Sequence, residues 1–211
     1  MQTALIIGDS HADATDAYLN SKTACFGTAL ASRLVAQGYE VTLAGVGGST
    51  VADWLTPKVC RPGKCVVTTG LPTAPDLLLV VLGSNDMGKG GDAAATVAAF
   101  PALVSRFVPK RAIWIGPPAM RGTTGYSDAN MAKLYDAAAS AGVPIFDSRV
   151  PTAPAVEAGD GDGIHSGPAS AAAWADAVAS VAGGGSSGPP WLLLGGAALC
   201  VLALVLVSKR K

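Results

Sequence analysis

The stretch Thr3-Ala4-Leu5-Ile6-Ile7-Gly8-Asp9-Ser10 decides how the rest of the chain is read. A short apolar run with two adjacent isoleucines suits a strand buried on both faces, since a parallel strand covered by helices has no polar side. The run ends abruptly at Gly-Asp-Ser, which delivers a hydroxyl directly past the strand. A side chain there stands at the carboxyl edge of the sheet, where open α/β sheets bind their ligands. Its own N–H can face a developing negative charge.

Working outward, the same run-then-loop pattern recurs at residues 39–44, 77–82, 112–115 and 144–146. Helical stretches separate the runs. One covers residues 28–36 and closes at Gly38, and one opens on Asp92 as N-cap, with Pro101 expected to kink or restart it before Phe107. A third spans 127–141 and stops at Gly142, and a last one follows Pro168 to Val181. The alternation predicts an α/β chain with a three-layer α/β/α, flavodoxin-like, doubly wound parallel five-stranded sheet.

Three more polar loops follow the predicted strands or precede the last helix. Gly45-Val46-Gly47-Gly48-Ser49-Thr50 follows the second run, and its glycines let backbone N–H groups approach a ligand without a Cβ in the way. Gly83-Ser84-Asn85-Asp86 follows the third run and offers an amide donor. Asp162-Gly163-Ile164-His165 can orient an imidazole with a carboxylate on one loop. Each alone is ordinary turn chemistry; their order, and a shared sheet edge, give them weight.

Together the blocks resemble those of the SGNH hydrolase superfamily, which includes the GDSL esterases and lipases, over residues 3–181. The resemblance implies Ser10 as nucleophile and Asp162 and His165 as its triad partners. It implies an oxyanion hole from the N–H groups of Ser10 and Gly48 and the side chain of Asn85. Spacing alone selects Gly48 over Gly47. It implies acyl transfer in two steps without metal or organic cofactor. Gly116-Pro117-Pro118 is similar to a family loop that borders the acyl site. One departure is His11, where GDSL-type members carry Leu. As the neighbour of Ser10, His11 is expected to point away from the hydroxyl and to line the cleft or the surface, which leaves the base to His165. Asp9 and Asp86 are read as structural, and Trp54, Met120, Arg121 and Tyr126 as packed loop residues near the pocket.

Composition narrows the partners. Formal net charge is zero, and three of the 15 basic residues are the last three of the chain, so the body is slightly acidic and carries no nucleic-acid footprint. The expected substrate is a small-molecule, glycan or lipid ester. Cys25 and Cys200 read as small buried hydrophobes. Cys60 and Cys65 flank Arg61-Pro62-Gly63-Lys64; a disulfide and a pair of reduced loop thiols both fit.

The far end differs in character. The domain is expected to span residues 1–182, followed by a Gly/Ser/Pro linker at 183–190, an uncharged apolar run at 191–207 and a basic tail at 208–211. Such a run as a helix reaches roughly 26 Å, close to a hydrocarbon core. Trp191 and the Lys-Arg-Lys end suit the two interfaces, so a single C-terminal transmembrane helix is expected. The basic end favours a cytoplasmic C-terminus, whereas no export signal is expected in the first residues, and the side of the membrane stays open. A non-catalytic membrane-anchored binding or envelope-assembly module with the same fold is the rival expectation. A nucleotide-binding protein is disfavoured, because neither Rossmann spacing nor a Walker Lys-Ser/Thr pair occurs.

Overall fold

The computed structural model describes residues 1–15, 22–122 and 125–184. In chain order its strands are β1 (Gln2–Gly8), β2 (Tyr39–Gly45), β3 (Lys58–Arg61), β4 (Lys64–Val67), β5 (Leu77–Val81), β6 (Arg111–Ile115) and β7 (Ile145–Phe146). Its helices are α1 (Phe26–Ala36), α2 (Ser84–Gly88), α3 (Ala93–Phe107), α4 (Asp128–Ala141), α5 (Arg149–Glu157) and α6 (Pro168–Ala182). The expected transmembrane run at 191–207 and basic tail lie outside the described residues, as does Cys200. Among the described residues no helix is long and apolar enough to cross a membrane.

Five strands pair in the order β2-β1-β5-β6-β7, every pair parallel. Strand side chains alternate faces, so each strand feeds two cores. Leu5, Ile7, Leu78, Val80 and Trp114 meet α3 and α4 through Val97, Phe100, Leu103, Met131 and Leu134. Ala4, Ile6, Leu77, Leu79 and Ile113 meet α1 and α6 through Phe26, Leu30, Leu34, Trp174 and Val178. Trp114 stacks on Phe100 and Trp174 on Phe26, with centroids 4.4 and 3.7 Å apart. The chain leaves β2 and crosses β1 to begin β5. That switch opens a crevice at the carboxyl ends of these strands, and the polar loops sit there.

The structure changes some local expectations and adds elements that the sequence did not announce. Pro101 does not restart α3, which runs unbroken from Ala93 to Phe107. Its buried Val97, Phe100, Leu103, Val104 and Phe107 outweigh the one backbone bond that proline removes. The segment 149–157, with Pro151 and Pro154, forms α5, where Thr152 and Val156 are buried and Thr152 Oγ1 donates to Ser148 O at 2.7 Å. The loop after β2 carries a 3-10 turn at Asp53–Leu55 and the antiparallel hairpin β3–β4, whose register pairs Cys60 with Cys65. These two cysteines form a disulfide, with Cα atoms 4.2 Å apart. Cys25, expected to be buried, is half-buried at the start of α1.

Candidate active site

Ser10 stands on the turn that follows β1, held by backbone bonds from Asp9 N to Val81 O and from Ala12 N to Asp9 O. His165 lies 155 residues further on, in the loop before α6, and its Nε2 is 3.1 Å from Ser10 Oγ. Its Nδ1 is 2.9 Å from Asp162 Oδ2, while Asp162 Oδ1 accepts the N–H groups of Ile164 and His165 at 2.9 and 2.7 Å. The carboxylate favours the tautomer with the proton on Nδ1, which leaves Nε2 to accept from the Ser10 hydroxyl. Partial burial works against charge on Asp162, but the His165 ring and the two N–H groups hold its carboxyl below the ordinary range.

The loop that carries this pair is shaped from two sides. Gly161 adopts φ +86°, and a Cβ there would meet His165 O at 2.2 Å. Gly163 O accepts from Arg121 N at 2.8 Å. Asp160 Oδ2 accepts both the N–H and the hydroxyl of Ser170 in the first turn of α6, each at 2.6 Å, and so ties the loop to the helix. Sequence reading missed Asp160, because its partner is ten residues away on another element.

The glycine loop after β2 distinguishes its two candidate donors. Gly47 N donates to Asp13 Oδ2 at 3.1 Å. Gly48, which lines the cleft beside Ser10, directs its N–H at no acceptor among the described residues, and neither does Ser10. Asp13 is buried, and besides Gly47 it accepts Thr15 N, Thr15 Oγ1 and the Lys64 ammonium from β4. Burial opposes its charge, but these donors together keep its carboxyl below the usual range. Asp13 carried no motif, and its role is visible only once β4 is folded against the loop.

Asn85 opens α2 at the same edge, with a more constrained amide. Its Nδ2 donates to Asp9 Oδ2 at 3.3 Å and to Ser49 O at 3.2 Å, and its Oδ1 accepts the Tyr126 hydroxyl at 2.9 Å. Both donations are long for an amide, so the group stands within reach of the cleft with weakly committed hydrogens. The Tyr126 ring lies on the bare face of Gly88, where a Cβ would come within 2.3 Å of it. Of the four loop residues expected near the pocket, Tyr126 lines the cleft; Trp54 and Met120 are buried in the core, and Arg121 joins the loop through its backbone. Gly116, Pro117 and Pro118 are buried away from the cleft lining, with Tyr135 OH donating to Pro117 O at 2.6 Å.

His11 turns inward. It is 3% exposed, packs edge-on against Trp174 and lies 5.7 Å from the His165 ring. Burial foremost, then the charge of His165, push its pKa down to about 3 against a weaker opposing pull from Asp162. Asp86, read as structural, accepts Val51 N, and burial raises its carboxyl to about 6. Among the described residues no group of three His, Cys, Asp or Glu side chains gathers in a metal-binding arrangement.

Residues 6–185 match the sequence model of the GDSL-like lipase/acylhydrolase family. The chain belongs to this family. It is therefore a carboxylic ester hydrolase by class. No protein of curated function matches its sequence. Solved structures share the GDSL-like fold at low identity. A proposed arylesterase from Agrobacterium tumefaciens is 23% identical, with a TM-score of 0.60 over 85% of this chain and 97% of that one. The lipase/acylhydrolase from Enterococcus faecalis is 19% identical, with a TM-score of 0.63 over 87% and 96%. A catalytic mutant of the acetylxylan esterase Axe2 from Geobacillus stearothermophilus is 18% identical, with a TM-score of 0.57 over 90% and 96%.

Proposed function

We propose that this GDSL-like hydrolase is a serine esterase in which Ser10 is the nucleophile, His165 the general base and acid, and Asp162 the group that orients and stabilises the imidazolium. The observation that carries the reading is the 3.1 Å approach of His165 Nε2 to Ser10 Oγ beside the uncommitted N–H of Gly48. As Ser10 Oγ bonds to the ester carbonyl carbon, Nε2 takes the hydroxyl proton and the carbonyl electrons move to oxygen. The N–H groups of Ser10 and Gly48 receive that oxyanion, and Asn85 joins them by sharing an amide hydrogen with Asp9 or Ser49. The imidazolium then gives its proton to the departing alcohol oxygen as the C–O bond breaks. Water repeats the sequence on the acyl-enzyme: Nε2 takes its proton, the acid is released, and Ser10 regains its hydrogen.

The cleft holds about 290 Å³, at the small end for ligand sites, which favours short acyl groups such as acetyl on a carbohydrate, lipid or small-molecule alcohol. The similarity in fold to an acetylxylan esterase is in keeping with this. The test uses the full chain in mild detergent. It should hydrolyse 4-nitrophenyl acetate and take a fluorophosphonate label on Ser10, and Ser10→Ala should lose the label and at least about 10³-fold in turnover. A folded protein that neither turns over an ester nor takes the label would be a binding module instead.

The membrane anchor at 191–207 belongs to the same proposal, supported by its uncharged apolar length and basic end. In a flotation assay with phospholipid vesicles the full chain should rise with the lipid, and a chain ending at Gly184 should not.

A further inference from the structure

Two cations converge on one backbone oxygen at the rim of the cleft. Gly48 O accepts from Lys89 Nζ at 2.6 Å and from Arg61 Nη2 at 3.2 Å. Both contacts fall on a residue that shares the cleft lining with Ser10, and Lys89 itself lines the cleft. Arg61 reaches it from β3 and also pairs with Asp53. Lys89 is exposed, follows α2, and has no carboxylate partner among the described residues.

The nearby acids are already engaged. Asp53 serves Arg61 and Thr50, Asp86 is turned to Val51 and Thr96, Asp92 caps α3, and Asp162 holds His165. Of the two cations, Arg61 is paired with a carboxylate, whereas among the described residues Lys89 meets only the Gly48 carbonyl dipole and is the cation left to serve an incoming anion. A lysine ammonium has three N–H donors, and Gly48 O occupies one of them. The remaining donors belong to a side chain that lines the same cleft as Ser10 and His165. A neutral alkyl ester uses none of this, whereas an anion near the scissile bond receives a charge-assisted hydrogen bond.

We propose that Lys89, assisted by Arg61, forms an anion subsite of the cleft, which selects esters whose acyl or alcohol part carries a negative charge a few atoms from the scissile carbonyl. This rests on the esterase reading above. Lys89 holds the anion as a point charge, and Arg61 keeps the Gly48 carbonyl and the rim in place.

Matched pairs of substrates test it on the full chain. One pair is 4-nitrophenyl butyrate against mono-4-nitrophenyl glutarate, which places the charge on the acyl side. The other is phenyl acetate against 4-acetoxybenzoate, which places it on the alcohol side. In at least one pair the wild type should favour the anionic member in kcat/KM by about tenfold or more, the size expected of a charge-assisted bond. Lys89→Gln should cut that ratio by about tenfold, Lys89→Arg should keep most of it, and added salt should lower it in the wild type. Equal turnover of neutral and anionic members in both pairs would overturn the subsite and leave the esterase intact. So would a preference that survives Lys89→Gln and Arg61→Gln together. Absence of turnover on all four esters, with no fluorophosphonate adduct on Ser10, would overturn the esterase reading and the subsite with it.

Discussion

Removing the Asp13 carboxylate should weaken both the fold and the catalytic loop, because one buried group serves two structural ends. Its oxygens accept Thr15 N at 3.0 Å, Thr15 Oγ1 at 2.8 Å and Gly47 N at 3.1 Å, and pair with Lys64. In Asp13→Ala the Gly47 N–H loses its acceptor and Lys64 its counter-charge. A hydrogen bond to a charged group is worth about 1.5–3 kcal/mol. The Lys64 side chain is 31% exposed, so the ion pair is discounted for solvent. A net loss of about 3 kcal/mol follows, which in a domain of this size lowers Tm by roughly 6–12 °C. With its anchor gone, the Gly47–Gly48 peptide drifts from the Ser10 side of the cleft. A complete loss of one oxyanion donor costs about 10²–10³ in turnover, so partial misplacement should lower kcat by about 10–10² with little change in KM. Asp13→Asn keeps an acceptor for Gly47 and should lose less of both. Circular-dichroism melts and 4-nitrophenyl acetate kinetics well below the melting point measure the two effects. The reasoning is refuted if folded Asp13→Ala turns over within twofold of wild type.

Two further predictions concern residues that line the site from behind. Replacing His11 with Leu should remove a pH-dependent cost: the folded-state pKa of about 3 lies below the ordinary 6.5, so the unfolded chain binds an extra proton between those values. The stability His11 permits is therefore complete above about pH 6.5 and falls as pH drops, by up to about 1.4 kcal/mol per unit. Urea unfolding at pH 7.5 and 5 should show a smaller drop in His11→Leu than in wild type, and an equal drop would refute the assignment. Tyr126→Phe frees Asn85 Oδ1 from its 2.9 Å bond and lets the amide rotate. A kcat reduced about three- to tenfold at unchanged KM is expected, as for one net hydrogen bond, and steady-state kinetics with a full activity profile would show whether that split holds.

Local chemistry was enough to set out the sheet and most of its helices. Runs of branched apolar residues mark strands covered on both faces, and Asp92, Ser127, Gly142 and Pro168 punctuate helices through bonds made within a few residues. These signals are short-range, so a single chain displays them. The block order also named Ser10, Gly48, Asn85, Asp162 and His165 as candidates. Which groups touch was another matter. The choice between Gly47 and Gly48 depends on Asp13 reaching across from the β1 loop, and the Asp13 charge is balanced by Lys64 from a hairpin that no periodicity announced. The proline-bearing α5 formed because burial of Thr152 and Val156 outweighed local propensity. Tyr126 on Asn85 and Lys89 on Gly48 are likewise meetings of distant segments. Propensity acts along the chain, whereas hydrogen-bond partners and charge neighbours are fixed by packing across it, and only the folded sheet brings these loops to one edge.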